Sequence, residues 1–279
     1  MSRAAQPGTG GTDRVFLDVG PRRIAAVQTG SSNDPPVVLV PGYTGSKEDF
    51  GPVLAPLAAA GFFVTAIDQP GQFESPGPES PDDYTPDLLA HVLGDLCADL
   101  GPRVALLGHS FGGLVARAAV IAAPERYRSL VLLSSGPAHL DGSRRVSMDR
   151  LAPVLAGWGL PGVYAAMQAA AIADPGFVAP PPEIAEFLQR RFLAGSPAML
   201  QGMGDALRGE PDRVAELAET AVPILVVHGE SDDAWSPAIQ RDMANRLGAQ
   251  YAVVPDAAHS AAVENPEALV EALISFWRG

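Results

Sequence analysis

Short apolar runs alternate with longer segments of helical periodicity along most of the chain. Residues 37–40 (Val-Val-Leu-Val), 62–67, 103–107, 130–133, 224–227 and 251–254 are the apolar runs. Their length and lack of polar alternation predict strands buried on both faces of a parallel sheet. Residues 15–19 and 22–29, split by Gly20-Pro21, predict an antiparallel hairpin at the start. Between the runs lie helical patterns. One follows Ser46 and Asp49, which are spaced as a capping box, and ends near Ala60 before Gly61. Others cover 87–100, 113–123 and 266–277. Residues 68–86 form a loop dense in Pro and Gly.

The alternation stops between residues 137 and 220. No strand signal appears there, only Ala-, Leu- and Met-rich helical patches broken by clusters such as Pro180-Pro181-Pro182. That stretch is too long for an ordinary connection. The expected organisation is therefore an α/β core over 14–136 and 221–279, with 137–220 inserted as a helical cap. Eight strands and helices on both faces of a mostly parallel sheet are predicted. Residues 1–13 are polar and glycine-rich, and are expected to be a disordered tail.

Composition narrows the function classes. Apolar residues make up 47% and charged residues 18%, as in a folded chain with a sizeable core. The net charge is −13 with no basic stripe, which argues against nucleic acid and anionic membranes as partners. Cys97 stands alone, so no intrachain disulfide is possible. Residues 1–13 lack the apolar stretch of a signal peptide, and no run reaches membrane-spanning length. A cytoplasmic protein is expected. Oligomeric state is left open. Lys47 is the only lysine among the 19 Lys and Arg residues, a bias of the kind that GC-rich genomes produce.

Candidate chemistry centres on Gly108-His109-Ser110-Phe111-Gly112, a G-x-S-x-G between a predicted strand and a predicted helix. Serine on so tight a turn is held out from the fold with its hydroxyl exposed. The helix behind it aims free N–H groups at any charge that develops there. A serine hydroxyl needs a base. His259, in the loop Pro255–Ser260 after the last strand run, is the candidate; His91, His109 and His228 fit structural roles better.

These residues resemble the α/β-hydrolase superfamily, and the resemblance runs from about Val15 to the end. It implies the α/β-hydrolase fold and a triad in the order Ser, acid, His: Ser110 as nucleophile, Asp232 as acid and His259 as base. Asp232 fits the family's Gly-x-x-Asp loop in Gly229-Glu230-Ser231-Asp232; Asp233 and Glu230 are the alternatives. The resemblance further implies an oxyanion hole made by the backbone N–H groups of Tyr43 and Phe111. The family's His-Gly is here Pro41-Gly42. Asp68-Gln69-Pro70-Gly71-Gln72-Phe73-Glu74-Ser75 is similar to the family's Asp-x-x-Gly-x-Gly-x-Ser turn, with Phe73 in place of the second glycine.

A small-molecule substrate, no cofactor and no metal are expected. Tyr43, His139, Trp158, Tyr164 and Met167 are the candidate pocket residues, suited to a medium-sized, mostly apolar group. Arg144 and Arg145 are read as solvated, and Lys47 as an exposed residue of a helix's first turn. The implied activity is hydrolysis of an ester, thioester or lactone through an acyl-enzyme. Carbon–carbon bond hydrolases, lyases, haloperoxidase-like enzymes and biosynthetic thioesterases or cyclases share the scaffold. A ligand-binding protein on an inactive scaffold is the non-enzymatic alternative. Epoxide hydrolases and haloalkane dehalogenases are disfavoured, because they carry Asp where this chain has Ser110.

Overall fold

Successive residues of a strand face opposite sides of its sheet, so wholly apolar strands need cover on both. A computed structural model, which describes residues 12–279, shows how that cover is supplied. Along the chain run β1 (Asp13–Val19), β2 (Arg22–Thr29), β3 (Pro36–Val40), α1 (Gly51–Ala59), β4 (Phe63–Ile67), α2 (Pro86–Leu100), β5 (Val104–His109), α3 (Phe111–Ala122) and β6 (Tyr127–Leu133). Four helices follow before the next strand: α4 (Gly142–Ile172), α5 (Pro182–Leu193), α6 (Pro197–Gly209) and α7 (Val214–Glu219). The chain closes with β7 (Ile224–Gly229), α8 (Pro237–Leu247), β8 (Gln250–Val254), α9 (Ala261–Glu264) and α10 (Pro266–Arg278). Most of residues 1–13 lie outside the described residues, and Asp13 already opens β1.

Among the described residues eight strands form one sheet in the order β1-β2-β4-β3-β5-β6-β7-β8. β1 and β2 are antiparallel, as is β2 with β4; every later pairing is parallel. Alternate residues of the central strands divide between two cores. Val38, Val40, Leu106, Leu130, Leu132 and Val226 pack against α2 and α3, while Val37, Leu39, Ala105, Leu107, Val131 and Val227 pack against α1 and α10. Burying a Val or Leu side chain contributes roughly 1.5–3 kcal/mol, so this two-sided alternation is the main stabilising term.

The expected helices begin where their capping signals stand. Asp49 Oδ2 accepts the Ser46 N–H, Thr85 Oγ1 that of Leu88, and Asn265 Oδ1 that of Ala268. Helix α8 has no counterpart in the sequence analysis. Only Gln240, Met243 and Ala244 of its eleven residues are buried, so its apolar stripe is too narrow to stand out from the polar run around it.

Helices α4 to α7 enter between β6 and β7. Helix α4 bends sharply at Gly159, whose φ of 61° no helix continues, just before Pro161. Leu160, Val163 and Leu200 form a small core of their own, with Leu155, Phe192 and Tyr43 packed against it. The insertion is tied to the loops after β3 and β4 and to α3 by Tyr43 Oη donating to Leu200 O (2.5 Å), Ser196 N–H to Gly71 O (2.8 Å) and Arg117 to Glu210 (2.6 Å). No helix of the described residues is long and apolar enough to cross a membrane.

Lys47 departs most from expectation. It is buried, not exposed, and its ammonium lies 2.8 Å from Asp68, 2.6 Å from Glu74 and 3.1 Å from Glu48. The helical turn places it inward, where the loop after β4 folds over it. Burial works against the charge, but the carboxylates outweigh it and hold the ammonium above its ordinary pKa. Burial in turn pushes the Asp68 carboxyl up to about 6, against the pull of Lys47.

Lys47→Met leaves buried carboxylates without their cation and is expected to cost about 3–5 kcal/mol in urea unfolding. A second expectation concerns pH in the unmutated protein. Between the ordinary 3.8 and about 6 the folded chain holds the Asp68 proton more tightly than the unfolded chain does. This group's contribution to stability therefore falls as pH rises through that window and is flat above it, which urea titrations at a series of pH values check.

Candidate active site

Strand β5 ends and α3 begins with one residue between them, Ser110. Its φ of 54° and ψ of −120° lie outside the regions open to ordinary L-residues, at a cost of about 1–3 kcal/mol. The turn is held by Ser110 N–H to Leu133 O (2.9 Å) and by Ser135 Oγ donating to Ser110 O (2.8 Å). It also requires two residues without side chains. A Cβ on Gly108 would stand 2.3 Å from Gly112 O, and one on Gly112 would stand 2.4 Å from Val40 O. The backbone of the elbow thus sits directly against the end of β3. The N-terminus of α3, with its unpaired amides and partial positive charge, faces the same space.

His259 and Asp232 arrive from the ends of β8 and β7. His259 Nδ1 lies 2.9 Å from Asp232 Oδ1, and both side chains are buried. Asp232 Oδ1 also accepts the Ala234 N–H at 3.0 Å, and Oδ2 accepts the Gln240 amide at 2.9 Å. Burial alone would raise this carboxyl; the His259 bond and charge, with the Ala234 and Gln240 donors, outweigh it and bring the pKa down to about 2. Asp233 turns the other way and meets Arg144 at 2.6 Å, while Glu230 is exposed. The His259 loop is pinned on two sides. Glu264 Oε2 accepts the Ala258 and Ser260 N–H groups at 2.8 and 3.1 Å, and His109 Nε2 lies 2.8 Å from His259 O.

A carbonyl oxygen only accepts, so His109 carries its proton on Nε2. Burial and the neighbouring His259 hold its pKa down at about 4. His109, expected in a structural role, lies against His259, ring centres 4.9 Å apart, and reaches the cavity.

Ser110 and His259 line one cavity of about 660 Å³, roofed by α4, α5 and α6. Tyr43 and Met167 line it, as expected. Burial pushes the pKa of the Tyr43 phenol up and keeps it neutral. Three expected lining residues do not reach it. His139 is half exposed and faces Asp141 at 3.4 Å. Trp158 is 78% exposed, because the bend at Gly159 turns the end of the first half of α4 to solvent. Tyr164 packs behind Phe192, ring centres 5.8 Å apart, and Phe192 takes the lining position. Leu151, Leu155, Val163, Leu188 and Leu200 supply much of the apolar wall. Their helical spacing marked them as apolar but not which side of each helix faces inward.

Arg144 and Arg145 were the arginines expected in solvent, and no cation was expected at the pocket. Arg144, Arg191 and Arg208 line it, each already paired: with Asp233, with Asp49, and with Asp149 and Asp205. Arg145 bonds Asp149 and the Arg208 carbonyl instead of standing free in water.

Gly42 brings the loop after β3 close to the serine; a Cβ there would stand 3.1 Å from Ser110 Cβ. Among the described residues neither the Tyr43 nor the Phe111 amide has a hydrogen-bond acceptor within the protein.

A model of the alpha/beta hydrolase family matches residues 37–272. The chain is 27% identical to the pimeloyl acyl-carrier-protein methyl ester esterase of Pectobacterium carotovorum, over 89% of this chain and 96% of that one. A relative in Variovorax paradoxus is 35% identical over a shorter stretch, 38% of this chain and 40% of its own length. Among solved structures, a carboxylesterase of Nitrososphaera gargenis superposes with a TM-score of 0.80, covering 95% of this chain and 98% of that one at 18% identity, a likeness of fold.

Two substitutions test the packing described. Gln240→Leu strips a donor from Asp232 and leaves Trp235 O without its 2.7 Å partner, and is expected to destabilise by about 1–3 kcal/mol. Trp158→Ala is expected to stay within about 0.5 kcal/mol of the parent, since the ring stands in solvent. Urea unfolding reads both.

Proposed function

The chain belongs to the alpha/beta hydrolase family, and on that premise we propose that it is a serine hydrolase of carboxylic esters, thioesters or lactones, working through an acyl-enzyme. The observation that carries the proposal is the buried Asp232–His259 pair opening on the same cavity as Ser110. Asp232, ionised and held by three donors, accepts the Nδ1–H of His259. That bond leaves the Nε2 lone pair free to take the Ser110 hydroxyl proton as Oγ attacks the substrate carbonyl. The tetrahedral oxyanion is received by the amides of Tyr43 and Phe111, the second of them at the N-terminus of α3. Protonated His259 then delivers its proton to the leaving alcohol, thiol or ring oxygen. Water, deprotonated by His259, resolves the acyl-enzyme and restores Ser110.

The helices of 137–220 act in this proposal as a cap, and their apolar wall suits a medium-sized, mostly apolar small-molecule substrate. The methyl ester named for the Pectobacterium relative is of the same bond class. A lyase that employs a lysine draws no support from Lys47, which is buried among carboxylates and does not line the cavity.

Ser110→Ala is expected to abolish labelling by a fluorophosphonate probe and to lower p-nitrophenyl ester turnover by at least about a thousandfold. Asp232→Asn is expected to cost on the order of 10³- to 10⁴-fold in kcat, and Asp233→Asn only a few-fold. Absence of labelling in the folded parent, or loss in Asp233→Asn with Asp232→Asn active, overturns the respective assignment. With its pKa at about 2, Asp232 stays ionised throughout the working range. The stability it contributes is present above its unfolded value and is lost only as pH falls through about 2.

A further inference from the structure

The loop after β4 does more than close over Lys47. Gln69 and Gln72, both buried, send their side chains into the backbone of the loop after β3. Gln72 Nε2 donates to Gly42 O at 2.6 Å, and Gln69 Nε2 donates to Pro41 O at 2.8 Å. A longer contact of 3.4 Å joins Gln72 Nε2 to Tyr43 O. The Gln72 amide is held in this orientation, because its Oε1 accepts the Gln69 N–H at 2.9 Å. Turning it over would set oxygen against the Gly42 carbonyl and NH₂ against an N–H, losing both bonds.

Gly42 O and Tyr43 N–H belong to one peptide unit. In a planar trans peptide these groups point in opposite directions. A donor that fixes Gly42 O on one side therefore fixes where the Tyr43 N–H points on the other. Glycine itself tolerates either orientation of the plane; Gly42 O accepts the Gly45 N–H of its own turn at 3.1 Å and the shorter Gln72 bond at 2.6 Å. Ser110 lies close beside this unit, since a Cβ on Gly42 would stand 3.1 Å from Ser110 Cβ.

We propose that Gln72 is a positioning residue: it locks the Gly42–Tyr43 peptide plane so that the Tyr43 N–H faces the oxyanion formed on Ser110. This rests on the serine-hydrolase assignment made above. The lever is itself well anchored. Ser75 Oγ donates to Asp68 O (2.8 Å) and accepts the Ala25 N–H of β2 (2.9 Å), and Asp68 takes the Lys47 N–H at 2.8 Å. Phe73, next to Gln72, holds a φ of 35° and wedges its ring between the Lys47 ammonium (4.8 Å) and Phe187 of α5 (5.9 Å). Glutamine suits the task because an ionised Glu would set negative charge against the Gly42 carbonyl.

Gln72→Met keeps the approximate shape and removes the donor. Losing an oxyanion donor outright costs about 10²- to 10³-fold in kcat; losing only its orientation is expected to cost about 10- to 100-fold. KM is expected to stay within about twofold, because ground-state binding does not use the oxyanion. A trifluoromethyl ketone, which forms a tetrahedral adduct with the serine, is expected to bind more weakly in proportion to the loss in kcat. The carboxylic acid product is expected to bind as it does to the parent. A side chain with a merely structural role would not separate these two ligands.

Unchanged kcat, or reduced kcat with unchanged trifluoromethyl ketone affinity, overturns the proposal. Should Gln72→Met not fold, Gln72→Glu carries the same comparison at neutral pH. If neither folds, Gln72 is a structural residue and the proposal is overturned. Failure of the parent to react with fluorophosphonate would refute the hydrolase assignment itself. Normal labelling of the parent, with Gln72 variants behaving like it, refutes only the role of Gln72.

Discussion

The close approach of three backbone segments around Ser110 is the constraint on which the rest depends. Val40 pairs in register with Gly108, so the end of β3 lies against the end of β5 where the chain reverses into α3. Only a side-chain-free Gly112 fits against Val40 O, and only a side-chain-free Gly108 fits against Gly112 O. Given that fit, the positive φ at Ser110 is forced, and the two hydrogen bonds at its N–H and C=O offset its cost. The loop after β3 must then leave beside the serine, and the loops after β7 and β8 open on the same edge of the sheet. Every group assigned a role in catalysis stands within one or a few residues of the C-terminal end of a parallel strand.

Much of this was legible along the chain because its causes are local. Runs such as Val37 to Val40 announce buried strands by composition, and Ser46 with Asp49 announces a helix start by chemistry. The G-x-S-x-G turn announces itself because only glycine satisfies its contacts. Features set by long-range packing were not legible. Lys47 has the look of a surface residue in a first helical turn; its burial follows from the loop some twenty residues later that folds over it. Trp158 is apolar and sits in the inserted helices, yet the bend at Gly159 sends it outward. Gln240 belongs to a helix with a narrow apolar stripe, and its bonds to Asp232 and Trp235 O are set by packing. The arginines at the cavity wall carry no local signal, because their partners come from distant segments, as Arg191 finds Asp49.

Polar chemistry beneath the site is consequently expensive and closely matched. Lys47, Asp68 and Glu48 are tolerated out of water only because each charge meets another, with the half-buried Glu74 at the rim of the cluster. The return on that arrangement is rigidity where the backbone lacks side chains of its own. Pro41 and Gly42 have no side-chain donors of their own, and the buried amides of Gln69 and Gln72 add to the single turn bond from Gly45. The segment between β4 and α2 thus behaves as a brace, anchored to β2 through Ser75 and to the insertion through Gly71 and Phe73.

Asp232 and Asp233 are neighbours that face opposite ways, one toward His259 and the other toward Arg144 of α4. The first is buried and held by several donors; the second is an exposed ion pair, a type of contact that contributes at most about 1 kcal/mol. Mutational tolerance therefore changes abruptly within a single dipeptide. Drift in the sequence of α4 can abandon Arg144, and position 233 with it, while position 232 stays under full constraint. The inserted helices and the sheet thus hold two adjacent residues by separate contacts, Asp233 through Arg144 of α4 and Asp232 through His259, Ala234 and Gln240.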